Sequence, residues 1–333
     1  RPDIYFQNLS KRQTDKPHLY FSNTSANDTF VYNISMQIFD NETRFDESYF
    51  AYYFNNHVLK IGRTSRWWSP SSDSSLILSN SARPSPGISF TNYNPKIIQS
   101  KYFSFLGPIN YEFFINKLEE NRYVPNALLF GNRISIQPHS RLRVSFFRTA
   151  QFGGDGRNLN TKIFVDMLLG KDNYDADDLN KENEPGNQIG GIDFNLLLLQ
   201  KKNLSLYGQI AGEDESGYLP SKTFYSLGLG YSWDQLDIKK INLEFSDTGS
   251  RPKNTTYNHS IYKNGYRYYG LPIGSAYDAD SKIVSINFHQ LLKNDLYINF
   301  RATKASLNYS NNSNFFIDSM SDDATILEIN IRQ

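Results

Sequence analysis

The chain has 333 residues, with 35 Lys and Arg against 34 Asp and Glu, and no cysteine. A net charge of +1 lacks the basic excess of a nucleic-acid binder, and zero Cys excludes disulfide scaffolds, thiolate metal sites and a cysteine nucleophile. No stretch of about 18 apolar residues occurs, which excludes a helical membrane span. The 23 Tyr and 24 Phe in a polar chain leave two classes. One is a large soluble β-protein. The other is an outer-membrane β-barrel, whose strands alternate lipid-facing and lumen-facing residues and so hide their apolar half from averages. Arg1-Pro2-Asp3 does not open a signal peptide.

Period-2 alternation sets opposite faces of a strand, and it recurs along the chain. After a turn at Asn55-Asn56 come a long connection over 69–87, a moderate turn over 94–100 and a brief loop over 121–126. Leu128, Phe130, Ile134 and Ile136 then oppose Gly131, Arg133, Ser135 and Gln137. Beyond Pro138-His139-Ser140, Leu142, Val144 and Phe146 oppose Arg141, Arg143 and Ser145. The connection over 148–188 contains a helix-like stretch at 161–169 and an acidic, polar stretch at 171–185. Ile192, Phe194, Leu196 and Leu198 oppose Asp193 and Asn195; past Lys201-Lys202-Asn203, Leu204, Leu206 and Ile210 oppose Ser205, Tyr207 and Gln209. Residues 207–222 also read as an unusual loop, and 246–282 as another long one. Val284, Ile286 and Phe288 oppose Ser285, Asn287 and His289. After Lys293-Asn294, Leu296, Ile298 and Phe300 oppose Tyr297, Asn299 and Arg301. A connection over 311–323 leads to Leu327, Ile329 and Ile331 opposite Glu328, Asn330 and Arg332.

Alternation alone also fits a soluble sandwich. Short turns on one rim and long loops on the other select the barrel. The reading is therefore all-β: one transmembrane antiparallel barrel domain over 1–333, of about 16–18 strands, with long ordered loops over its mouth and a short helix in one loop.

The unusual residues sit in the long loops. The stretches RWWSPSSDSSLILSNSARPSPGIS, LEENRYVPNALLFGNRI, RTAQFGGDGR, GNQIGGIDF, YGQIAGEDESGYLPSK and YNHSIYKNGYRYYGLPIG run from Gly62 to Gly274, roughly two-thirds of the chain. Together, in this order, they resemble the outer-membrane capsule assembly family called Wzi. The resemblance implies a Gram-negative outer-membrane barrel with loops folded over its mouth. It also implies a non-enzymatic surface lectin that binds capsular polysaccharide. The family's barrel is usually described as 18-stranded, with a periplasmic helical bundle; no sequence pattern for the bundle is found. Ser69 and Ser71 stand where the family usually has glycines after the paired Trp, and Gln333 stands where a terminal aromatic is expected.

Candidate polysaccharide contacts are Arg66, Trp67, Trp68, Arg83, Arg148, Arg157, Tyr218, Tyr257, His259, Tyr262, Tyr266 and Arg267. An aromatic face takes the CH face of a pyranose, and a guanidinium fork takes a uronic carboxylate. The competing reading is a lid that packs on itself, its Arg paired to acidic loops. Adjacent residues on extended chain point opposite ways, so at most one of Trp67 and Trp68 readily meets a ligand. Arg133, Arg143, Asp193, Gln209, Glu213 and Arg301 are expected to fill the lumen. Glu213, Asp214 and Glu215 offer an acid/base pair, a Ca²⁺ site or lumen-edge pairing, and the last is favoured because adjacent carboxylates do not flank a sugar. Gly153, Gly154 and Gly156 read as a turn. No catalytic motif and no metal site is expected. The expected partners are acidic capsular polysaccharide and outer-membrane lipid, without cofactor or nucleic acid. A porin or oligosaccharide channel is the alternative.

Overall fold

The computed structural model describes residues 19–161, 164–165, 186–199, 203–216, 219–233, 239–249, 255–292, 296–311, 313 and 320–332. For 214–216 and 219–221 it describes the backbone. Among the described residues one sheet has 17 strands. Fifteen are long: β1 Leu19–Ala26, β2 Phe30–Ile38, β3 Tyr49–Phe54, β4 His57–Arg63, β5 Pro86–Asn92, β6 Pro108–Lys117, β7 Leu128–His139, β8 Leu142–Phe152, β9 Asn187–Leu199, β10 Leu204–Ser216, β11 Leu219–Trp233, β12 Lys239–Asp247, β13 Lys282–Leu291, β14 Tyr297–Leu307 and β15 Asp322–Arg332. Two dipeptides, Thr43–Arg44 and Lys96–Ile97, extend the pairing of β2 and β6. Each long strand pairs antiparallel with the next, as hairpins dictate.

Burial decides between the two classes left open by composition. Phe146, Ile192, Ile210, Leu227, Leu243, Ile286, Phe300 and Ile329 are exposed, whereas Ser145, Asp193, Gln209, Asn242, Ser285, Asn287 and Arg301 on the opposite faces are buried. A soluble sandwich does the reverse. An apolar exterior around a polar interior is the arrangement of a strand that crosses lipid. No helix among the described residues is long and apolar enough to cross a membrane. At one rim Tyr52, Phe54, His57, Phe90 and Tyr111 stack in a row, and Trp233 lies against Tyr231 and Phe288. Such a row belongs at the membrane–water interface, where rings with a polar edge are stable. Replacing Ile286 by Arg should cost roughly 2–4 kcal/mol if that position lies near the bilayer midplane. Refolding into lipid vesicles, followed by heat-modifiable gel mobility, is the measurement; unchanged insertion would overturn the assignment of this face to lipid.

The rims follow the predicted asymmetry. One carries tight turns, such as Asn55-Asn56, whose φ of 43° and 71° suit a two-residue hairpin. Its moderate exception is the segment between β5 and β6. The other carries the connections 64–85, 153–186, 248–281 and 308–321. The stretch 207–222 corrects a sequence expectation: it is strand to Ser216 and again from Leu219. Its inner face explains why. Tyr207, Gln209, Ala211 and Glu213 are covered from within the lumen, so the ladder continues where an uncovered wall would end. The helix expected over 161–169 lies largely outside the described residues, although the Phe164 N–H reaches the Asn160 carbonyl at 3.1 Å. The acidic stretch 171–185, the turn residues Lys201, Lys202, Lys293 and Asn294, and Gln333 also lie outside them.

Candidate functional site

The connection 64–85 turns inward and fills the lumen. It is rich in serine, and its polar groups need partners there; the walls supply them. Glu244 on β12 accepts from the Ser71 hydroxyl, the Ser72 N–H and hydroxyl (both 2.8 Å), the Asp73 N–H at 2.9 Å and the Tyr207 hydroxyl at 2.6 Å. Arg301 on β14 donates to Asp73 at 2.6 Å and pairs with Glu328 on β15 at 2.8 Å. Gln209 on β10 accepts from the Leu76 N–H at 2.7 Å and donates to the Trp68 carbonyl at 2.6 Å. Glu112 on β6 accepts from Arg66 Nε at 2.7 Å and Trp68 Nε1 at 3.0 Å. Four well-separated strands thus grip one loop, which means that the sheet wraps around it.

A second layer lies on the first. The Tyr257 hydroxyl donates to the Leu76 carbonyl at 2.6 Å and accepts from the Ser275 N–H at 3.0 Å, while the Ser79 N–H reaches the Ile273 carbonyl at 2.9 Å. The Tyr257 N–H donates to Glu213, fixing the layer to β10. Trp68, Leu76, Ile77, Leu78, Tyr257, Ile261, Tyr262, Tyr266 and Ile273 share one apolar cluster between the layers. Burial raises the pKa of the Tyr257 and Tyr266 hydroxyls, so both stay protonated. Gly265 has φ +68°, and a Cβ there would collide with the Tyr257 carbonyl. Arg267 is 1% exposed and grips Asp278 with Nε at 2.8 Å and Nη2 at 2.6 Å. Arg122 closes the layer from the side, donating to the Arg267 carbonyl at 3.1 Å and the Gly265 carbonyl at 3.3 Å. Burial depresses its guanidinium, opposed by Glu119 at 3.2 Å.

Many of the predicted contacts are therefore inside the lid. Tyr257, Tyr262, Tyr266 and Arg267 are buried in it, and Trp68 packs edge-on against Phe114. Arg83 is turned to Asp46, at 2.9 and 3.0 Å. Burial likewise raises the Glu47 carboxyl, opposed by hydrogen bonds from Ser65. Arg148 is half-buried on β8, and Tyr218 lies outside the described residues. His259 is half-buried, its Nδ1 accepting from the Ile261 N–H at 3.2 Å. Trp67 and Arg66 face the lumen beneath the lid rather than the outer surface. Among the expected lumen residues, Arg133 pairs with Asp193 at 2.7 Å, and Arg143 sits on the same face of the wall. Gln209, Glu213 and Arg301 do more than fill space, since each holds a loop.

The outward face is built from three connections. The Asp155 N–H reaches the Pro125 carbonyl at 2.8 Å, the Tyr123 N–H reaches Asn264 at 2.6 Å, and the Tyr262 hydroxyl reaches the Gly153 carbonyl at 3.1 Å. On it Tyr123 is 54% exposed, with Lys263 Nζ 4.3 Å above its ring, and Arg157 lies 5.3 Å over Tyr262. Tyr269 is 53% exposed beside Arg83, at 5.7 Å. Sequence reasoning passed over Tyr123 and Lys263, while Tyr269 belongs to the Tyr-rich loop that the sequence offered for stacking. Tyr123 and Lys263 lie 140 residues apart, and only the shared motif stretches marked their loops. Among the described residues no cluster of His, Asp or Glu is suited to hold a metal.

Comparison with known proteins agrees with this architecture. Residues 8–332 match the family model of the capsule assembly protein Wzi. An uncharacterised 55.8 kDa protein of the cps region of Klebsiella pneumoniae is 34% identical over 193 residues, which are 57% of this chain and 37% of that protein. The chain thus matches little more than a third of that relative's length. Wzi of Escherichia coli, described as a carbohydrate-binding outer-membrane β-barrel involved in group 1 capsule assembly, superposes with a TM-score of 0.78 at 23% identity, over 95% of this chain and 75% of that one. A mutant Rh. blastica porin reaches only 0.45 at 8% identity, over 95% and 89% of the two chains. Barrel, lipid-facing girdle and family together place the protein in a bacterial outer membrane. The chain belongs to the capsule assembly protein Wzi family.

Proposed function

We propose that the protein is a surface lectin that holds capsular polysaccharide at the outer face of the membrane and acts without catalysing a reaction. The observation that carries this reading is the ordered outward face, where Tyr123 and Lys263 present a ring and a cation side by side. Tyr269 with Arg83, and Arg157, add the same chemistry across that face. A ring suits the apolar face of a pyranose, and the cations suit uronic carboxylates, so an acidic polymer fits best. Single contacts of this kind are weak. One polymer touching many copies multiplies them. The double-layered lid favours a binder over a channel, because the polymer meets a floor rather than a pore. We read the whole chain as one domain serving this role.

Purified detergent-solubilised protein should retain acidic capsular polysaccharide in a pull-down, and retention should fall with salt as surface charges are screened. Changing Tyr123 and Lys263 together to Ala should weaken it at least about tenfold, or ~1.4 kcal/mol, and flatten the salt response. Unaltered retention with an unaltered salt response would sink the assignment of this face.

A further inference from the structure

Beneath the lid lies a cavity of about 350 Å³ that the outer-face reading does not use. Lys60, Arg66, Trp67, Asn110, Glu112 and Arg133 line it. Asn110 belongs to the part of β6 nearest the short-turn rim, so the cavity is on the periplasmic side of the lid. Its size is at the lower end of small-molecule sites, roughly 300–1,000 Å³.

The lining is built for an anion with an apolar face. Three cations meet one carboxylate. Arg66 already engages Glu112 at 2.7 Å. Arg133 pairs with Asp193 through Nη2, and its buried Nε has no hydrogen-bond partner among the described residues. The Lys60 ammonium is 4.9 Å over the Tyr49 ring and makes no ion pair within 4.0 Å among the described residues. Trp67 is held by its Nε1, which donates to the Ser71 carbonyl at 2.9 Å, so its indole is a fixed wall of the cavity. Asn110 supplies an amide of both polarities, as sugar hydroxyls require.

We propose that this cavity is a second glycan site, which takes a short acidic oligosaccharide from the periplasmic side. One pyranose lies on Trp67, and its carboxylate is directed to Lys60 and Arg133. The site shares its chemistry with the outer face but none of its residues. Long polymer and short oligosaccharide therefore separate the two, because the lid stands between them.

The test is calorimetric titration of the full detergent-solubilised chain with digalacturonate, with maltose as the uncharged disaccharide of similar size. Digalacturonate should bind saturably and maltose at least about tenfold more weakly, the difference made by one charge-assisted contact. Lys60→Met, which keeps the aliphatic stem, should weaken digalacturonate at least about tenfold. Asn110→Asp, which sets a repelling charge in the cavity, should do the same. Both variants should retain long polymer, and the Tyr123 and Lys263 double variant should lose polymer but keep digalacturonate. No digalacturonate binding, or binding indifferent to Lys60→Met and Asn110→Asp, overturns the cavity site. Loss of digalacturonate in the outer-face variant overturns it as well. Retained polymer in that same variant would defeat the outer-face assignment and leave the cavity standing.

Discussion

Glu244→Leu should turn a silent barrel into a conducting one. The carboxylate receives five hydrogen bonds, four of them from Ser71, Ser72 and Asp73 at the deepest point of the lid. Leucine keeps the bulk and removes every acceptor. Four buried donors left without a partner cost about 1–3 kcal/mol each, which together outweigh the Arg301–Asp73 pair at the same tip, because Arg301 keeps Glu328; the tip of the loop therefore gains more by leaving the wall for water than by staying. Gln209 and Glu112 still hold the rest of the loop through Trp68 and Leu76. The expected result is partial release: stepwise current in planar bilayers where the parent protein gives next to none. Heat-modifiable mobility should be unchanged, because the outer face of β12 is untouched. A variant as silent as the parent would show that the upper layer alone seals the mouth.

Arg267→Ala should abolish capsule retention by dismantling the lid. This guanidinium is 1% exposed and holds Asp278 with two hydrogen bonds. Its carbonyl in turn accepts from Arg122. Asp278 is partly exposed, so losing these charge-assisted hydrogen bonds costs about 1.5–3 kcal/mol. The layer over 255–281 should then open to protease, and cells should shed capsule. Arg157→Ala removes a half-exposed cation above Tyr262, so it should weaken retention with the layer still protease-resistant. The two variants look equivalent in sequence and differ in kind. Protease resistance and retention both preserved in Arg267→Ala would contradict this account of the lid.

The strands were legible because their signal is local. Whether Phe146 faces lipid and Ser145 the lumen is written in the parity of adjacent residues, and lipid on one side with a polar lumen on the other enforces it. The strand number could be read to within two for the same reason. Residues 207–222 were the exception, since the covering that keeps them in the sheet comes from elsewhere in the chain. The lid was not legible. Ser71 meets Glu244 across 173 positions, and Tyr257 meets Leu76 across 181. No local pattern encodes such partners. Arg83 and Arg267 satisfy Asp46 and Asp278, whereas their sequence surroundings suited a ligand equally well. The paired tryptophans were half legible. Neighbours on extended chain diverge, and the two indoles part, Trp68 into the cluster and Trp67 to the cavity.

The seating of the lid also has a mechanical side. If the protein holds capsule as proposed, a capsule dragged by flow would pull on the outermost loops. That pull travels from Tyr257 to Leu76, down the buried chain, and into Glu244 and Arg301 well inside the wall. It is delivered to several strands together rather than to one loop end. Hydrogen bonds between antiparallel strands run across the strand direction, so a tug along the barrel loads many of them in shear at once. A tether rooted in this way distributes drag over the whole barrel, whereas one fastened only at the rim would peel a single hairpin.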